Sequence, residues 1–223
     1  KKELRSKVGL VFQYPEHQLF ETDVFSDVCF GPKNLGLSKK EVELRAYEAL
    51  RKVGFPEECF YQSPFDLSGG QKRRVAIAGV LAMKPEVLIL DEPTAGLDPK
   101  ERIRIRNIIS EVSMDKTVIL ATHVVPDIEF ISKEILLLKK GVLVESGTPA
   151  SLVSKVVPFV FEVESDREGL EKYKADYRIA NIGSSAAGDG KFIVRLIGDK
   201  KPEGKVLEGT RATLEDVYLR EFE

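Results

Sequence analysis

The spacing of apolar positions predicts strands that alternate with helices over the first part of the chain. Short apolar runs at 7–12, 87–90 and 117–121 are typical of strands, and the last two are continuous enough to be buried parallel strands. Apolar residues recur at helical spacing over 38–53, 68–83, 100–113 and 126–132. This alternation indicates an α/β fold in which helices cover a mainly parallel sheet.

Polar and turn-forming residues mark several helix ends. Ser38 and Glu41 have the spacing of a capping box, in which each side chain bonds a free backbone N–H of the other residue. Gly54 stands where a left-handed C-cap belongs. A shorter helix over 25–32 is predicted to end at its Gly-Pro pair.

The character of the chain changes near residue 158. Upstream, two strands at 134–138 and 142–144 are joined by a Lys-Lys-Gly turn, and Thr148 caps a short helix. Downstream, the pattern predicts strands at 159–164, 177–182 and 191–197 and helices over 166–175 and from Thr213 onward. The sequence therefore predicts a main domain over 1–157 and a small α+β domain over 158–223.

Composition narrows the class of protein. Lys and Arg number 34 against 36 Asp and Glu, so the net charge of −2 gives no indication of a nucleic-acid partner. Cys29 and Cys59 are too few for a disulfide framework or a zinc site, and buried reduced thiols suit the cytoplasm. No apolar run approaches the ~20 residues that span a bilayer. Any role at a membrane would come through a partner.

Asp91 and Glu92 are the first candidates for chemistry. They end the apolar run 87–90, where one carboxylate could hold Mg²⁺ and the next could orient an attacking water. Phosphoryl transfer needs both roles because the protein contributes position and charge rather than covalent chemistry. A solvated strand end is the alternative interpretation.

The segment 67–71 is the second candidate. Ser68, Gly69, Gly70 and Gln71 precede a predicted helix, whose free N–H groups and positive dipole end attract an anion, and the glycines permit close approach of the backbone. An ordinary serine cap with a flexible turn is the alternative. His123 ends the predicted strand next to the Asp91 strand, at the edge where ligands bind in parallel sheets.

Three motifs together resemble the ATP-binding-cassette (ABC) ATPases of membrane transporters. They are Leu-Ser-Gly-Gly-Gln at 67–71, Leu-Ile-Leu-Asp-Glu-Pro-Thr-Ala-Gly-Leu-Asp at 88–98, and Thr-His at 122–123. In order and spacing this set is highly specific, and the resemblance covers about residues 1–155. It implies a P-loop NTPase-like core with a helical subdomain at about 14–85, of which 14–66 resembles the part that docks on a membrane subunit.

The resemblance also implies roles for single residues. Gln13 resembles the loop glutamine that touches Mg²⁺, Asp91 the Mg²⁺-coordinating aspartate, and Glu92 the catalytic base. Asp98 resembles the aspartate that communicates across the dimer, and His123 the switch histidine. The implied cofactors are ATP and Mg²⁺.

The resemblance further implies assembly. Ser68, Gly69, Gly70 and Gln71 resemble the motif that contacts ATP held by the opposite subunit of a head-to-tail dimer. The implied partners are a second ABC ATPase and a transmembrane permease subunit, which would hold the chain at the cytoplasmic face of the cell membrane. The N-terminal half is most similar to energy-coupling-factor ATPases, which drive import of vitamins and metal ions such as cobalt. The C-terminal half is more similar to exporter ATPases of the multidrug or bacitracin-resistance type.

A phosphate-cradling loop of the form G-x-x-x-x-G-K-[ST] is absent from the 223 residues. The Gly-rich stretch 183–191 places Asp189 where such a loop has its lysine, so it is predicted to be a hairpin loop. The chain also begins within a few residues of its first predicted strand. We therefore expect that a preceding segment is missing, and that this chain alone neither binds nor hydrolyses ATP appreciably.

Two alternative functions remain at this point. A non-hydrolysing fragment or interaction module would agree with the missing phosphate loop. A soluble ABC ATPase of DNA repair or translation is the other. Repair relatives carry long coiled-coil heptads where 14–66 has none, and translation relatives usually carry two cassettes.

Overall fold

The computed structural model describes residues 2–185 and 190–222. Contacts within the chain divide it into two compact units, Lys1–Ile131 and Ser132–Glu223. None of the helices in the described ranges combines the length and the apolar composition needed to span a bilayer.

The first unit is built on a three-stranded parallel sheet. Its strands are β1 (Val8–Val11), β2 (Val87–Asp91) and β3 (Thr117–Ala121), with β2 in the centre. Ile89 of β2 lies opposite Leu10 of β1 and Ile119 of β3. The predicted parallel sheet is therefore confirmed, and the carboxyl ends of β2 and β3 lie side by side.

Helices cover this sheet. They are α1 (Lys2–Lys7), α2 (Val24–Asn34), α3 (Lys39–Lys52), α4 (Gly69–Leu81), α5 (Pro99–Val112) and α6 (Val125–Ile131), with 3-10 turns at Pro15–Gln18, Glu57–Cys59 and Pro64–Asp66. One apolar core joins α2, α3, α4 and α5 to the sheet, with Leu50, Ile77, Leu88, Leu90 and Ile109 among its fully buried side chains. Helix α4 is buried on nearly all sides, as its sequence predicts.

Three local predictions need correction. The strand predicted as buried at 117–121 is β3, which pairs on one side with β2 and leaves Ile119 51% exposed. An apolar run alone does not distinguish a central strand from an edge strand. Helix α2 continues past Pro32 to Asn34, and Leu35 N–H bonds the Gly31 carbonyl. The capping box at Ser38 forms only its first bond, because the Glu41 carboxylate accepts instead from Arg45 Nε at 2.6 Å.

The second unit is an α+β arrangement. The hairpin β4 (Ile135–Lys139) and β5 (Val142–Gly147) precedes α7 (Pro149–Val156) and a 3-10 turn at Val157–Phe159. An antiparallel sheet of order β6-β8-β7 follows, formed by β6 (Val160–Ser165), β7 (Arg178–Ser184) and β8 (Phe192–Ile197). Helices α8 (Arg167–Asp176) and α9 (Leu214–Phe222) pack on it. Of the predicted loop 183–191, residues 186–189 lie outside the described ranges.

The compact units divide earlier than the predicted domain boundary at 157/158. Helix α7 contacts both β5 and α9, and these contacts group residues 132–157 with the second unit. The assignment of 1–157, 14–85 and 158–223 as domains stays a prediction.

Candidate active site

Glu92 leaves the end of the central strand in an unusual backbone conformation. Asp91 is the last residue of β2 and lies opposite Ala121. Glu92 follows with φ of +44°, a region that non-glycine residues seldom occupy. Its N–H donates to the Ala121 carbonyl at 2.8 Å. The turn after β2 is thereby tied to the end of β3.

The Glu92 carboxylate accepts three hydrogen bonds from the loop that follows β3. Thr122 Oγ1 donates to Oε2 at 2.8 Å, and the backbone N–H of His123 donates to Oε1 at 2.9 Å. The His123 ring places Nδ1 2.6 Å from Oε1. Because an ionised carboxylate only accepts, Nδ1 carries the proton in this pair. The Glu92 side chain is 14% exposed and that of His123 71% exposed.

These hydrogen bonds favour the ionised form of Glu92. Burial by itself raises the pKa of the carboxyl, but the hydrogen bonds from Thr122 and His123 outweigh it, and the pKa of Glu92 lies below its usual value. Glu92 is therefore ionised at neutral pH, as a proton acceptor must be.

The start of α4 carries the Ser-Gly-Gly-Gln segment. Ser68 Oγ accepts from Gln71 N–H at 3.3 Å, and Gln71 Oε1 accepts from Ser68 N–H at 2.9 Å, so the two form a complete capping box. Gly69 is exposed, and a Cβ there would meet nothing within 4 Å. Gly70 is buried, and a Cβ there would lie 2.6 Å from Cγ of Glu101. The two glycines therefore differ: Gly70 is needed for packing, whereas Gly69 faces open space.

Asp98 belongs with this helix start. It is the N-cap of α5, and its Oδ1 accepts from Lys100 N–H at 2.9 Å and from Glu101 N–H at 3.0 Å. Glu101 is also the residue against which Gly70 packs. The beginnings of α4 and α5 therefore meet at Glu101.

The structure places the residues predicted from sequence in two clusters. The Glu92 cluster holds Gln13, Asp91, Glu92 and His123, and the Ser68 cluster holds Ser68, Gly69, Gly70, Gln71 and Asp98. No hydrogen bond joins a side chain of one cluster to a side chain of the other within the described ranges.

Arg73 is a site residue that the sequence analysis missed. It lies on α4, is 5% exposed, and its guanidinium donates to the carbonyls of Gln13, Glu92 and Ala95. The signal was present in the sequence: a basic run, Lys-Arg-Arg, on a helix predicted to be buried on nearly all sides requires buried acceptors. Which acceptors they are depends on the fold.

The sequence analysis also missed the pair of Thr94 and Asp127, which connects the turn after Glu92 to α6. Thr94 is fully buried and Asp127 is 1% exposed, and Thr94 Oγ1 donates to Asp127 Oδ2. Arg106 Nη1 lies 3.8 Å from the other carboxylate oxygen of Asp127. Helix α6 begins directly after the His123 loop, so this buried pair also fixes the loop that holds the Glu92 carboxylate.

The donor set fits Mg²⁺ only together with phosphate oxygens. No group of three or more His, Cys, Asp or Glu that could hold a metal ion occurs in the described ranges. Magnesium is usually bound by one or two carboxylates, water and substrate phosphates. One carboxylate from Asp91 and one amide oxygen from Gln13 match that pattern in chemistry.

Comparisons with known proteins show which proteins the chain is similar to. Residues 1–95 match the family model described as ABC transporter. The chain is 56% identical over 174 residues to the energy-coupling factor transporter ATP-binding protein EcfA2 of Caldanaerobacter subterraneus, covering 77% of this chain and 57% of the relative. It is 52% identical over 156 residues to the protein of the same name from Lactococcus lactis, covering 70% of this chain and 54% of that relative.

Two solved structures extend the comparison. One is cbiO1 from Clostridium perfringens, part of the ABC transporter complex cbiONQ, with a TM-score of 0.64 and 40% identity over 69% of this chain and 62% of that one. The other is the dimeric ATP-binding cassette MJ0796 bound to ADP and Pi in a post-hydrolysis state. Its TM-score is 0.56, with 31% identity over 65% of this chain and 63% of that chain.

These similarities confirm the predicted fold class and the resemblance to ABC transporter ATPases. The chain has the α/β fold of an ABC ATPase domain with a small C-terminal domain. It spans about half the length of the curated relatives that it matches. Their names refer to energy-coupling factor transporters, and the exporter-type resemblance of the C-terminal half stays a prediction.

Proposed function

We propose that this chain is part of the ATP-binding and ATP-hydrolysing subunit of an energy-coupling-factor membrane transporter. The observation that carries the proposal is the Glu92 carboxylate, which is ionised and held at the end of the central strand by Thr122 and His123. The names of relatives more than half identical to the chain favour this transporter class.

Glu92 is assigned as the general base. An ionised carboxylate has about four acceptor positions. In the described part of the chain three are occupied by Thr122 and His123, and Oε2 keeps room for one further donor. A water at that position would be oriented by Oε2 and could lose its proton to it. His123 positions the carboxylate through Nδ1, and its exposed ring is available to a ligand through Nε2.

Asp91 and Gln13 are assigned to Mg²⁺. When bound, Mg²⁺ would supply positive charge that compensates the negative charge developing on the phosphates. Asp91 would hold the ion, directly or through water, from the strand end next to Glu92. Gln13 would contribute its amide oxygen from the segment that follows β1.

The Ser68 cluster is assigned to the ATP of a second ABC ATPase subunit. The open space over Gly69 and the helix start beneath it suit a phosphate. A head-to-tail dimer would bring this helix start to the partner's nucleotide, with Asp98 at the same contact. The structural neighbour bound to ADP and Pi is itself dimeric, which supports this arrangement.

The transmembrane permease is proposed to dock on the region 14–66. Phe20 and Phe30 are exposed there and contact each other edge to face, with ring centroids 4.7 Å apart. Docking would hold the chain at the cytoplasmic face of the membrane, and the net charge of −2 supports a role that involves no nucleic acid.

A complementation experiment tests the two clusters separately. The Caldanaerobacter relative is prepared with alanine in place of the serine that aligns with Ser68. It is mixed with this chain, and ATP hydrolysis is measured. The chain's Ser68 cluster is expected to complete the relative's ATP site and restore hydrolysis. Ser68→Ala in this chain should lower the restored rate by at least about tenfold. Glu92→Gln should leave it unchanged, because Glu92 would serve this chain's own nucleotide.

Sedimentation of each mixture gives the control, since both variants must bind the relative equally well. Equal loss of activity with both variants, or dimers without restored hydrolysis, would contradict the assignment of the Ser68 cluster to a partner's ATP.

A further inference from the structure

One buried guanidinium connects segments that are far apart in the sequence. Arg73 Nη1 donates to the carbonyl oxygens of Glu92 and Ala95, both at 3.1 Å, and Nη2 donates to the carbonyl oxygen of Gln13 at 2.9 Å. Gln13 lies 60 residues before Arg73, and Glu92 lies 19 residues after it. The loop after β1 and the turn after β2 are therefore held by the same side chain of α4.

The shape of arginine suits this arrangement. Its planar fork presents five N–H donors in fixed directions, so two nitrogens can serve three carbonyls at once. A lysine ammonium is a single point charge and cannot reach both segments in the same way. Because Arg73 is 5% exposed, water cannot readily replace these bonds when the side chain is removed.

The next residue provides a comparison. Arg74 has the same side chain, lies on the same helix and is 3% exposed, but it faces another part of the unit. Its Nη1 donates to the Gly54 carbonyl at 2.7 Å, and its Nε lies 3.5 Å from Glu101 Oε2. Arg74 therefore ties α4 to the end of α3 and to α5, whereas Arg73 ties α4 to the Glu92 cluster.

We propose that Arg73 is a positioning residue that sets Gln13 and Glu92 relative to each other and to the helix that starts at Ser68. This proposal rests on the proposed function, in which Gln13 and Glu92 act on one nucleotide and Ser68 on another. Arg73 touches neither nucleotide. It fixes the backbone from which the two side chains project, so that the loop after β1 and the turn after β2 keep one relative position.

Amide hydrogen exchange in the 223-residue chain tests the mechanical part of the proposal. The N–H of Ala95 bonds the Glu92 carbonyl, and the N–H of His17 bonds the Tyr14 carbonyl, so these amides report the two segments. Arg73→Met should speed exchange at both by about tenfold or more, because each segment loses a charge-assisted bond. The amides of Gly54 and Phe55, which close the end of α3, should keep their exchange rates.

Arg74→Met is the matched control. It removes the same side chain from the same helix, and it should speed exchange at Gly54 and Phe55 while leaving Ala95 and His17 unchanged. Equal acceleration at all four amides in both variants would show general destabilisation, and the proposal would be wrong.

The NMR signals of the two histidine rings provide a second measurement. They would not change if Arg73 only filled space in the core. The chain has only two, His17 in the turn that follows Gln13 and His123 against Glu92. Arg73→Met fills similar volume but should shift the ring resonances of both at neutral pH. Arg74→Met should shift neither, and Glu92→Gln should shift that of His123 alone.

Arg73→Lys keeps the test decisive if the methionine variant does not fold. The lysine keeps the charge and can serve one segment, so at least one histidine should shift while the circular dichroism spectrum stays native. Wild-type histidine signals in a folded Arg73→Lys or Arg73→Met chain would overturn the proposal. These measurements need no nucleotide, so their outcome is independent of whether the protein hydrolyses ATP.

Discussion

Arg195 and Asp216 form a bidentate ion pair in the second unit. Arg195 Nε donates to Asp216 Oδ1 at 2.9 Å and Nη2 donates to Oδ2 at 2.6 Å, while Asp216 is 1% exposed. Burial by itself raises the pKa of Asp216, but the bonds from Arg195 and from the N–H of Thr213 outweigh it, and the pKa is lowered. The pair ties the first turn of α9 to strand β8.

This pair gives a pH-dependent prediction. A carboxyl whose pKa is lower in the folded state contributes stability above its unfolded pKa, about 3.9 for Asp, and loses it as the pH falls through the folded value. Asp216→Asn should lower the free energy of unfolding by about 3 kcal/mol at pH 7, because Arg195 loses its buried partner. The variant should also lose less stability than the wild type on acidification below about pH 4.

Glu168→Gln on α8 is the control, since Glu168 pairs with Lys172 where both side chains are largely exposed. Its effect on denaturant unfolding should be within about 0.5 kcal/mol. Similar losses in both variants would contradict the assigned importance of the buried pair.

At the scale of single residues, the sequence predicts which residue types are candidates for the chemistry. It does not predict the hydrogen bonds that position them. Asp91, Glu92 and His123 follow from a motif. Their bonding does not, because the partners of Glu92 come from the loop after β3, which is adjacent in space and about thirty residues away in the chain. Arg73 was missed for the same reason.

At the scale of elements, helix α4 shows how one motif combines two physical tasks. Its first turn is stabilised by the Ser68–Gln71 capping box and is also the surface assigned to a nucleotide. From the sequence, a ligand contact and an ordinary serine cap are alternative tasks of 68–71. The structure separates them, since Gly70 packs on Glu101 and Gly69 remains open.

Alanine at each glycine tests this separation. Gly70→Ala should lower the free energy of unfolding by about 1–3 kcal/mol, because its Cβ would displace a Glu101 side chain that is paired with Arg74 and Arg104. Gly69→Ala should leave stability unchanged or raise it by up to about 1 kcal/mol, because the methyl group meets no atom.

In the complementation assay, however, Gly69→Ala should reduce restored ATP hydrolysis, because the methyl group occupies the space proposed for phosphate. Thermal unfolding and ATPase measurements on the same two variants check both parts. Full ATPase restoration by a stable Gly69→Ala chain would contradict the nucleotide contact.

At the scale of the whole molecule, the proposed function makes the two clusters halves of two different nucleotide sites. The Glu92 cluster would act on a nucleotide whose phosphate loop is not among the 223 residues, and the Ser68 cluster on the nucleotide of another subunit. Without the lysine and the amide groups of a phosphate loop, the β- and γ-phosphates lose their main protein ligands.

We therefore expect isothermal calorimetry with this chain alone to detect no ATP binding at micromolar concentrations, and no hydrolysis of its own. The Caldanaerobacter relative, measured under the same conditions, is the positive control. Micromolar binding by the 223-residue chain would refute the expectation and would require phosphate ligands elsewhere in the chain.

The sequence by itself determined the α/β class, most helix and strand positions, and the identity of Glu92, His123 and Ser68 as candidates. These depend on local periodicity, caps and contiguous motifs, which a single sequence contains. The tertiary structure decided that β3 lies at the sheet edge, that Gly69 and Gly70 differ, and that Arg73 joins Gln13 to Glu92. Each of these is a contact between segments distant in the chain, and such contacts exist only once the chain has folded.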